Sequence, residues 1–222
     1  MFCSSSFTRL DGPNPTGPIY FLPIGVDFVS AAQWGLIATS DWRACYELSE
    51  EVLHPDPKIC ARSLQRIGQD VADGAEMHGS PDLLIGFSIG TVPATIAAKQ
   101  FRSRLWSFAS ADRGELMIWS SRKARHIRDQ AERLGYHQHD FAYWLRDLNP
   151  IDCIDGIHSD SRLVFGAFDR YVPSSRRLRL AEKAAGHLGR DKIITLPLGH
   201  FGVLLASRWL QQWWLGNAQP AL

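Results

Sequence analysis

The chain has 222 residues, of which 45% are hydrophobic and 21% are charged, and its formal net charge at pH 7 is +1. This length suits one globular domain with a sizeable core, and the composition excludes global disorder and a collagen-like repeat. The near-neutral charge gives no net field that would draw the chain to nucleic acid or to an anionic membrane, so a partner has to be recognised locally.

The first predicted element is a buried strand over Ile19–Ile24, an apolar and partly aromatic run that follows a segment rich in Gly and Pro. Gly25 ends this strand, and a helix is predicted over Phe28–Ala38. The segment Asp41–His54 is open between two interpretations, because its apolar residues alternate as in a strand while part of it also has helical spacing.

The middle of the chain predicts a helix, a strand and a second helix. Apolar residues recur every three or four positions over Ala61–Met77, which predicts an amphipathic helix. The short apolar run Leu83–Phe87 predicts a buried strand, and the alanine-rich segment Ile89–Phe101 predicts a buried helix directly after it. The order is therefore strand, tight turn, helix.

Strands and helices continue to alternate in the second half. Strands are predicted over Leu105–Ala109, Arg162–Phe168 and Lys192–Leu196, and helices over Ser174–His187 and Phe201–Leu215. Because parallel strands need crossover connections, this alternation predicts an α/β fold with a mainly parallel sheet flanked by helices on both faces.

Residues 112–149 interrupt the alternation with charged, histidine and aromatic residues, and with helical periodicity around Ile118–Leu134. We expect a small helical cap inserted within a single domain that spans residues 1–222. Trp119, Tyr143 and Trp144 lie in this insertion, and they either line a substrate pocket or pack the cap onto the sheet.

A Gly-x-Ser-x-Gly pattern, Gly86 to Gly90, lies between the predicted buried strand and the buried helix. A sharp turn there forces the serine backbone into a sparsely allowed region, and the flanking glycines let strand and helix approach without Cβ collisions. Ser88 is then expected to project from the carboxyl edge of the sheet. The amide of Ile89 begins the helix at that point and would face an oxyanion formed there.

A serine hydroxyl becomes a good nucleophile at neutral pH only with a general base and an acid that orients the base. Asp169 follows one predicted strand, and His200 follows the last one. Because parallel strands end at the same edge of a sheet, we expect both side chains to meet Ser88 there. Singly, such residues are more often turn, cap or loop residues, so the hypothesis depends on their joint placement.

This order of motifs resembles the α/β-hydrolase family, in which the elbow serine, an acid after a later strand and a histidine after the last strand follow one another. The resemblance covers most of the chain. It implies that Ser88 is the nucleophile, Asp169 the orienting acid and His200 the general base. Few residues precede Ile19, so we expect an N-terminally shortened sheet of about six strands without the usual first hairpin.

The family also has a second oxyanion donor in the loop after its first central strand, usually within a His-Gly pattern. The corresponding loop here, Leu22–Val26, lacks the histidine. The oxyanion hole is therefore predicted from Ile89 together with either Gly25 or Val26.

The expected function is that of a serine hydrolase that cleaves the carboxylic ester or thioester of a small-molecule acyl substrate through an acyl-enzyme, without a metal or an organic cofactor. An acyltransferase would use the same triad while excluding water from the acyl-enzyme. A non-catalytic receptor for a small ligand that retained the pocket is an alternative of another class. The acyl group, the leaving group and the oligomeric state stay open.

Other polar clusters have simpler explanations. His137, His139 and Asp140 lack a second group of ligands and predict a solvated helix face rather than a metal site. The basic stretches Arg122–Arg128 and Arg176–Arg179 predict exposed helix faces rather than a surface that binds nucleic acid.

The spacing of the cysteines and the length of the apolar runs indicate the cellular compartment. The four cysteines form no Cys-x-x-Cys pair, which predicts reduced core thiols: Cys3, Cys45, Cys60 and Cys153. The longest apolar runs are far shorter than the roughly 20 residues of a membrane span, and Met1–Leu10 does not resemble a secretory signal. We therefore expect a cytoplasmic protein.

Overall fold

A computed structural model describes residues 6–217. Its centre is a seven-stranded sheet with the order β1-β3-β2-β4-β5-β6-β7, in which β1 is antiparallel to β3 and all other neighbours are parallel. The strands are β1 (Phe7–Asp11), β2 (Ile19–Phe21), β3 (Ala44–Leu48), β4 (Leu83–Phe87), β5 (Arg104–Phe108), β6 (Arg162–Gly166) and β7 (Ile193–Leu196).

Nine α-helices occur within residues 6–217, and short 3₁₀ turns accompany them. The helices are α1 (Phe28–Gln33), α2 (Pro57–His78), α3 (Thr91–Phe101), α4 (Gly114–Ser120), α5 (Arg125–Arg133), α6 (Gln138–Trp144), α7 (Pro150–Cys153), α8 (Ser174–Leu188) and α9 (His200–Asn217).

Two apolar cores lie on the two faces of the sheet. Along β2, Ile19 and Phe21 point into one core and Tyr20 into the other, as the two-residue period of a strand requires. The first core is closed by α2, α3 and α8, and the second by α1 and α9. Burial on both faces explains why the central strands are continuous apolar runs.

The sheet has seven strands, one more than the expected number of about six, and the additional strand is the edge strand β1. Phe7–Asp11 pairs with β3 in the register Phe7 with Leu48 to Asp11 with Ala44. The segment is half exposed at the sheet edge, and it therefore lacks the continuous apolar pattern that marks a central strand. Five residues and a turn fit into the short segment that precedes Ile19.

The structure also decides between the two interpretations of the segment Asp41–His54, and it shows that the first helix is shorter than predicted. Residues 44–48 form a strand because β1 and β2 satisfy their backbone groups from both sides. The predicted helix Phe28–Ala38 ends at Gln33, and Gly35 adopts a positive φ of 72°, which continues the chain away from the helix axis.

The described cysteines are buried free thiols. Burial raises the pKa of Cys45 and Cys60 to about 12 and that of Cys153 to about 11, so all three stay protonated at neutral pH. Cys3 lies outside the described residues. Among the helices of residues 6–217, none has both the length and the apolar character needed to cross a membrane.

Candidate active site

Ser88 lies at the sharp turn between β4 and α3. Its φ is +52°, in the left-handed region that is unfavourable for residues with a Cβ atom. A Cβ atom at Gly86 would lie 2.7 Å from Thr91 Cα, and one at Gly90 would overlap the carbonyl oxygen of Phe21. Glycine at both positions thus permits the close approach of the strand, the turn and the helix.

Asp169 lies in the turn that follows β6. Its Oδ1 accepts hydrogen bonds from the backbone N–H groups of Tyr171 at 2.8 Å and Val172 at 2.9 Å. These bonds fix the carboxylate within its own turn, and they leave Oδ2 free to face His200.

His200 is the first residue of α9 and follows the loop after β7. Its Nδ1 lies 2.7 Å from Asp169 Oδ2, and its Nε2 lies 2.8 Å from Ser88 Oγ. An ionised carboxylate only accepts hydrogen bonds, so Nδ1 carries the proton and the unprotonated Nε2 accepts from the serine hydroxyl. The structure therefore brings the three predicted side chains into one hydrogen-bonded chain.

The environment keeps Asp169 ionised. Burial acts to raise the pKa of its carboxyl group, but the hydrogen bond with His200 and those from Val172 and Tyr171 outweigh burial and lower the pKa. Asp169 is 9% exposed and His200 is 6% exposed, so the pair is largely shielded from water. A buried negative charge at this position favours the imidazolium that forms when His200 accepts a proton.

A cavity of about 600 Å³ opens beside Ser88 and His200, between the sheet edge and the inserted helices. Its wall is mainly apolar and includes Ile24, Leu53, Val92, Met117, Ile118 and Ile127. These side chains come from the loop after β2, from the 3₁₀ turn Glu50–Leu53, and from α3, α4 and α5. The cavity is large enough for a small acyl group that buries most of its surface.

The predicted oxyanion donors lie in different places. Ile89 follows Ser88 at the start of the helical segment and lines the cavity. Gly25 and Val26 line a separate cleft, and the Val26 N–H already donates to the carbonyl of Pro23 at 3.2 Å. From this loop, Ile24 is the residue that lines the main cavity, and the sequence analysis did not single it out.

Of the two interpretations left open for the aromatic residues Trp119, Tyr143 and Trp144, the structure does not favour a pocket wall, because none of the three lines the cavity beside Ser88. Trp119 packs edge-on against Phe141 at 5.0 Å between ring centroids, while Tyr143 is 71% exposed. Trp144 lies beneath the ammonium group of Lys58, 5.5 Å from its ring centroid. In α6, Phe141 is buried, whereas the last two residues, Tyr143 and Trp144, are exposed. The sequence of such a short helix does not show which of its aromatic side chains will face the core.

Tyr171 is a neighbour of the site that the sequence analysis missed. Its ring stacks on His200 with 4.9 Å between centroids, and Lys123 Nζ lies 5.3 Å from the centroid of the same ring. The only sequence signal was its position two residues after Asp169.

The histidines of the insertion have a local structural role. His137 caps α6, and its backbone N–H donates to Asp140 Oδ2 at 2.8 Å. No cluster of three or more residues suited to a metal ion occurs in the part of the chain that the structure describes.

Comparisons by sequence find nothing similar. No protein-family model matches the chain, and no curated protein matches it.

Solved structures are similar in fold at low sequence identity. A protein from Thermus thermophilus is 13% identical with a TM-score of 0.60, over 94% of this chain and 91% of its own. Acyl-protein thioesterase 2 from Zea mays is 12% identical with a TM-score of 0.56, over 95% of this chain and 98% of its own. A monoacylglycerol lipase from Paleococcus ferrophilus is 12% identical with a TM-score of 0.54, over 96% of this chain and 99% of its own.

These likenesses extend along nearly the whole chain, although the identities are too low to carry an activity from one protein to another. By sheet order and by similarity to these structures, the chain has the α/β-hydrolase fold.

Proposed function

We propose that this protein is a serine hydrolase that cleaves a carboxylic ester or thioester through an acyl-enzyme. One observation carries the proposal, namely the continuous chain from Ser88 Oγ to His200 at 2.8 Å and from His200 to Asp169 at 2.7 Å. Both separations are within hydrogen-bonding distance, as base-assisted nucleophilic attack requires.

In the first half of the reaction, Ser88 Oγ bonds to the carbonyl carbon of the substrate while its proton passes to His200 Nε2. The carbonyl oxygen becomes an oxyanion. When the tetrahedral intermediate collapses, the bond to the alcohol or thiol breaks, and the leaving group takes the proton from Nε2. Asp169 keeps the imidazole oriented and stabilises its cationic form.

In the second half, water attacks the acyl-enzyme carbonyl and gives a proton to the same nitrogen. The second tetrahedral intermediate collapses to release the carboxylic acid, and the proton returns to Ser88 Oγ. The hydroxyl and the neutral imidazole are thus both regenerated, and no external acid, base or cofactor is consumed.

The oxyanion is stabilised by hydrogen-bond donors that must already be positioned before the reaction begins. We assign the first to Ile89, because an N–H group at the start of a helix has no partner within the helix and lies at the positive end of its dipole. The second comes from the loop after β2. Val26 N–H is already engaged and Gly25 lines a separate cleft, so Ile24 is the better candidate from this loop.

The cavity supports an acyl substrate, because its mainly apolar wall suits a hydrocarbon chain. Each methylene that leaves water stabilises the bound state by about 0.8 kcal/mol. The names of two structural neighbours, a thioesterase and a lipase, agree with this substrate class.

The test uses Ser88→Ala with Ser175→Ala as control, since Ser175 is an exposed serine on α8. Wild type and the control should react with a fluorophosphonate probe and hydrolyse short 4-nitrophenyl esters or the matching thioesters. Ser88→Ala should not be labelled, and its kcat should fall by at least about 10³-fold. Equal labelling of Ser88→Ala and wild type would refute the proposed nucleophile.

A further inference from the structure

Two buried hydroxyl groups lie next to the Ser88 turn. Thr91 and Ser110 are each 1% exposed. Thr91 Oγ1 lies 2.6 Å from the carbonyl oxygen of Ser88 and 2.9 Å from Ser110 Oγ. The Thr91 backbone N–H also donates to the Ser88 carbonyl, so one residue holds that oxygen with two groups.

The direction of these bonds follows from the chemistry of the groups. A carbonyl oxygen only accepts, so the single hydroxyl hydrogen of Thr91 points to Ser88. The bond between the two hydroxyls is then donated by Ser110. The resulting relay runs from Ser110 to Thr91 and ends on the Ser88 carbonyl.

The relay connects two strained positions. Ser88 has a φ of +52° and Ala109 has a φ of +60°, and both follow the paired ends of the neighbouring strands β4 and β5. Left-handed backbone is unfavourable for residues with a Cβ atom and persists only where surrounding contacts hold it. Thr91 and Ser110 supply such contacts between the two positions.

The Ser88 carbonyl belongs to the same planar peptide unit as the Ile89 N–H. In a trans peptide the two groups point in opposite directions, so fixing the carbonyl fixes the direction of the N–H. Thr91 holds the carbonyl, and both Thr91 and Ile89 lie in the cavity wall. A rotation of this peptide would turn the N–H away from the oxyanion and would also shift Ser88 Oγ relative to His200.

We propose that Thr91, supported by Ser110, is a positioning residue that orients the Ser88–Ile89 peptide for oxyanion binding. This inference rests on the proposed function. The substrate need not contact the Thr91 hydroxyl, because the hydroxyl acts through the peptide that it holds.

Thr91→Val tests the proposal, because valine keeps the shape of threonine and removes the hydroxyl. Thr95→Val is a matched control from the next turn of α3, where Thr95 is also 1% exposed and its hydroxyl donates to the Thr91 carbonyl at 2.6 Å. Each variant loses one buried hydroxyl-to-carbonyl bond, and Thr91→Val also loses the bond with Ser110, so both should lower the melting temperature and Thr91→Val should lower it more. Only the bond of Thr91 ends on the Ser88–Ile89 peptide.

We expect Thr91→Val to lower kcat by about 10- to 100-fold with KM changed less than about threefold, since oxyanion donors act on the transition state. Thr95→Val should keep kcat within about threefold of wild type, and Thr91→Ser should restore most of the lost kcat. Affinity for a trifluoromethyl ketone, which forms an oxyanion on Ser88, should fall in parallel with kcat.

Equal losses of kcat in Thr91→Val and Thr95→Val, or a change confined to KM, would overturn the proposal. If Thr91→Val does not fold, Ser110→Ala tests the proposal instead, because it removes the donor to Thr91 and, besides that, only the longer bond of 3.3 Å to the Ala111 carbonyl. Its kcat should then fall by about three- to tenfold at unchanged KM, and an unchanged kcat would count against the relay. If wild type itself is neither labelled by the fluorophosphonate nor active, the proposed function fails, which is a distinct outcome.

Discussion

At the scale of single residues, three buried carboxyl groups show how hydrogen-bond partners decide ionisation. Burial acts to raise the pKa of each, but the partners of Asp169 outweigh burial and lower its pKa. For Asp112 the attraction of Arg176 does not outweigh burial, and the pKa is raised. The pKa of Glu115 is raised in the same way, and its Oε2 has no hydrogen-bond partner among the described residues.

This difference predicts a pH-dependent effect of Glu115→Gln. A carboxyl group with a raised folded-state pKa favours folding in its protonated form, so its contribution to stability is present below the unfolded-state pKa and is lost as pH rises through the folded-state pKa. Glutamine is neutral at every pH. We therefore expect the free energy of unfolding of Glu115→Gln, relative to wild type, to increase from pH 4 to pH 7 in denaturant titrations.

Glu132→Gln is the control for this prediction, because Glu132 is exposed on α5. Its effect on the free energy of unfolding should be small at both pH values, as for most surface substitutions. If the free energy of unfolding of Glu115→Gln minus that of wild type decreased from pH 4 to pH 7, the assignment of a raised pKa to Glu115 would be contradicted.

At the scale of secondary-structure elements, the close approach of β2, β4 and α3 positions the Ser88 turn. Gly90→Ala should destabilise the protein by about 2–4 kcal/mol, because the new methyl group overlaps the backbone of Phe21, which has no room to move within the sheet. The hydrolysis rate should also fall, since the strain is released by shifting Ser88. Chemical denaturation and ester turnover measure the two effects.

Gly68→Ala provides the contrast within the same protein. Gly68 lies inside α2 with no neighbouring atom within 4 Å of a Cβ atom built there. Alanine should therefore stabilise the helix by about 0.5–1 kcal/mol through the lower entropy of the unfolded chain. If both substitutions change stability equally, close packing at Gly90 does not explain its effect.

The inserted helices are tied to the sheet domain at both of their ends. Arg113, before α4, forms a bidentate salt bridge with Asp152, in which its two terminal nitrogens donate to the two carboxylate oxygens at 2.9 and 2.7 Å. Asn149 accepts from the N–H of Gly114 at 2.9 Å and donates to the carbonyl of Leu145 at 3.0 Å. The start and end of the insertion are thus bonded to each other, which fixes the position of the helices that cover the cavity.

At the scale of the whole molecule, the cavity exists only because the sheet edge and the inserted helices are assembled. Met117→Trp should fill part of it, because Met117 is half buried in the cavity wall on α4. We expect kcat/KM for an eight-carbon 4-nitrophenyl ester to fall at least about tenfold, while the two-carbon ester changes less than about threefold.

Met77→Trp is the matched control, since Met77 is 66% exposed on α2 and does not line the cavity. It should leave the ratio of the two kcat/KM values unchanged. A Met117→Trp variant that loses activity equally on both esters would show that the apolar cavity does not accommodate the acyl chain.

The sequence alone predicted the fold class, and the structure and its solved neighbours confirm it. Continuous apolar runs identified β2, β4, β5 and β6, because strands buried on both faces carry mostly apolar residues, whereas the segment of β3 was left open. The candidate Ser88, Asp169 and His200 were also accessible from sequence, since each follows a predicted strand and parallel strands end at one edge. Their catalytic role stays a prediction.

The tertiary structure decided what depends on contacts between distant segments. The edge strand β1 escaped prediction because its stability comes from pairing with β3 and not from an apolar pattern of its own. The positions of Trp119 and Tyr143 likewise depend on how each inserted helix rotates against the sheet. Local sequence sets the type of element, whereas the facing of a side chain is fixed by packing between elements, and only the assembled chain determines that.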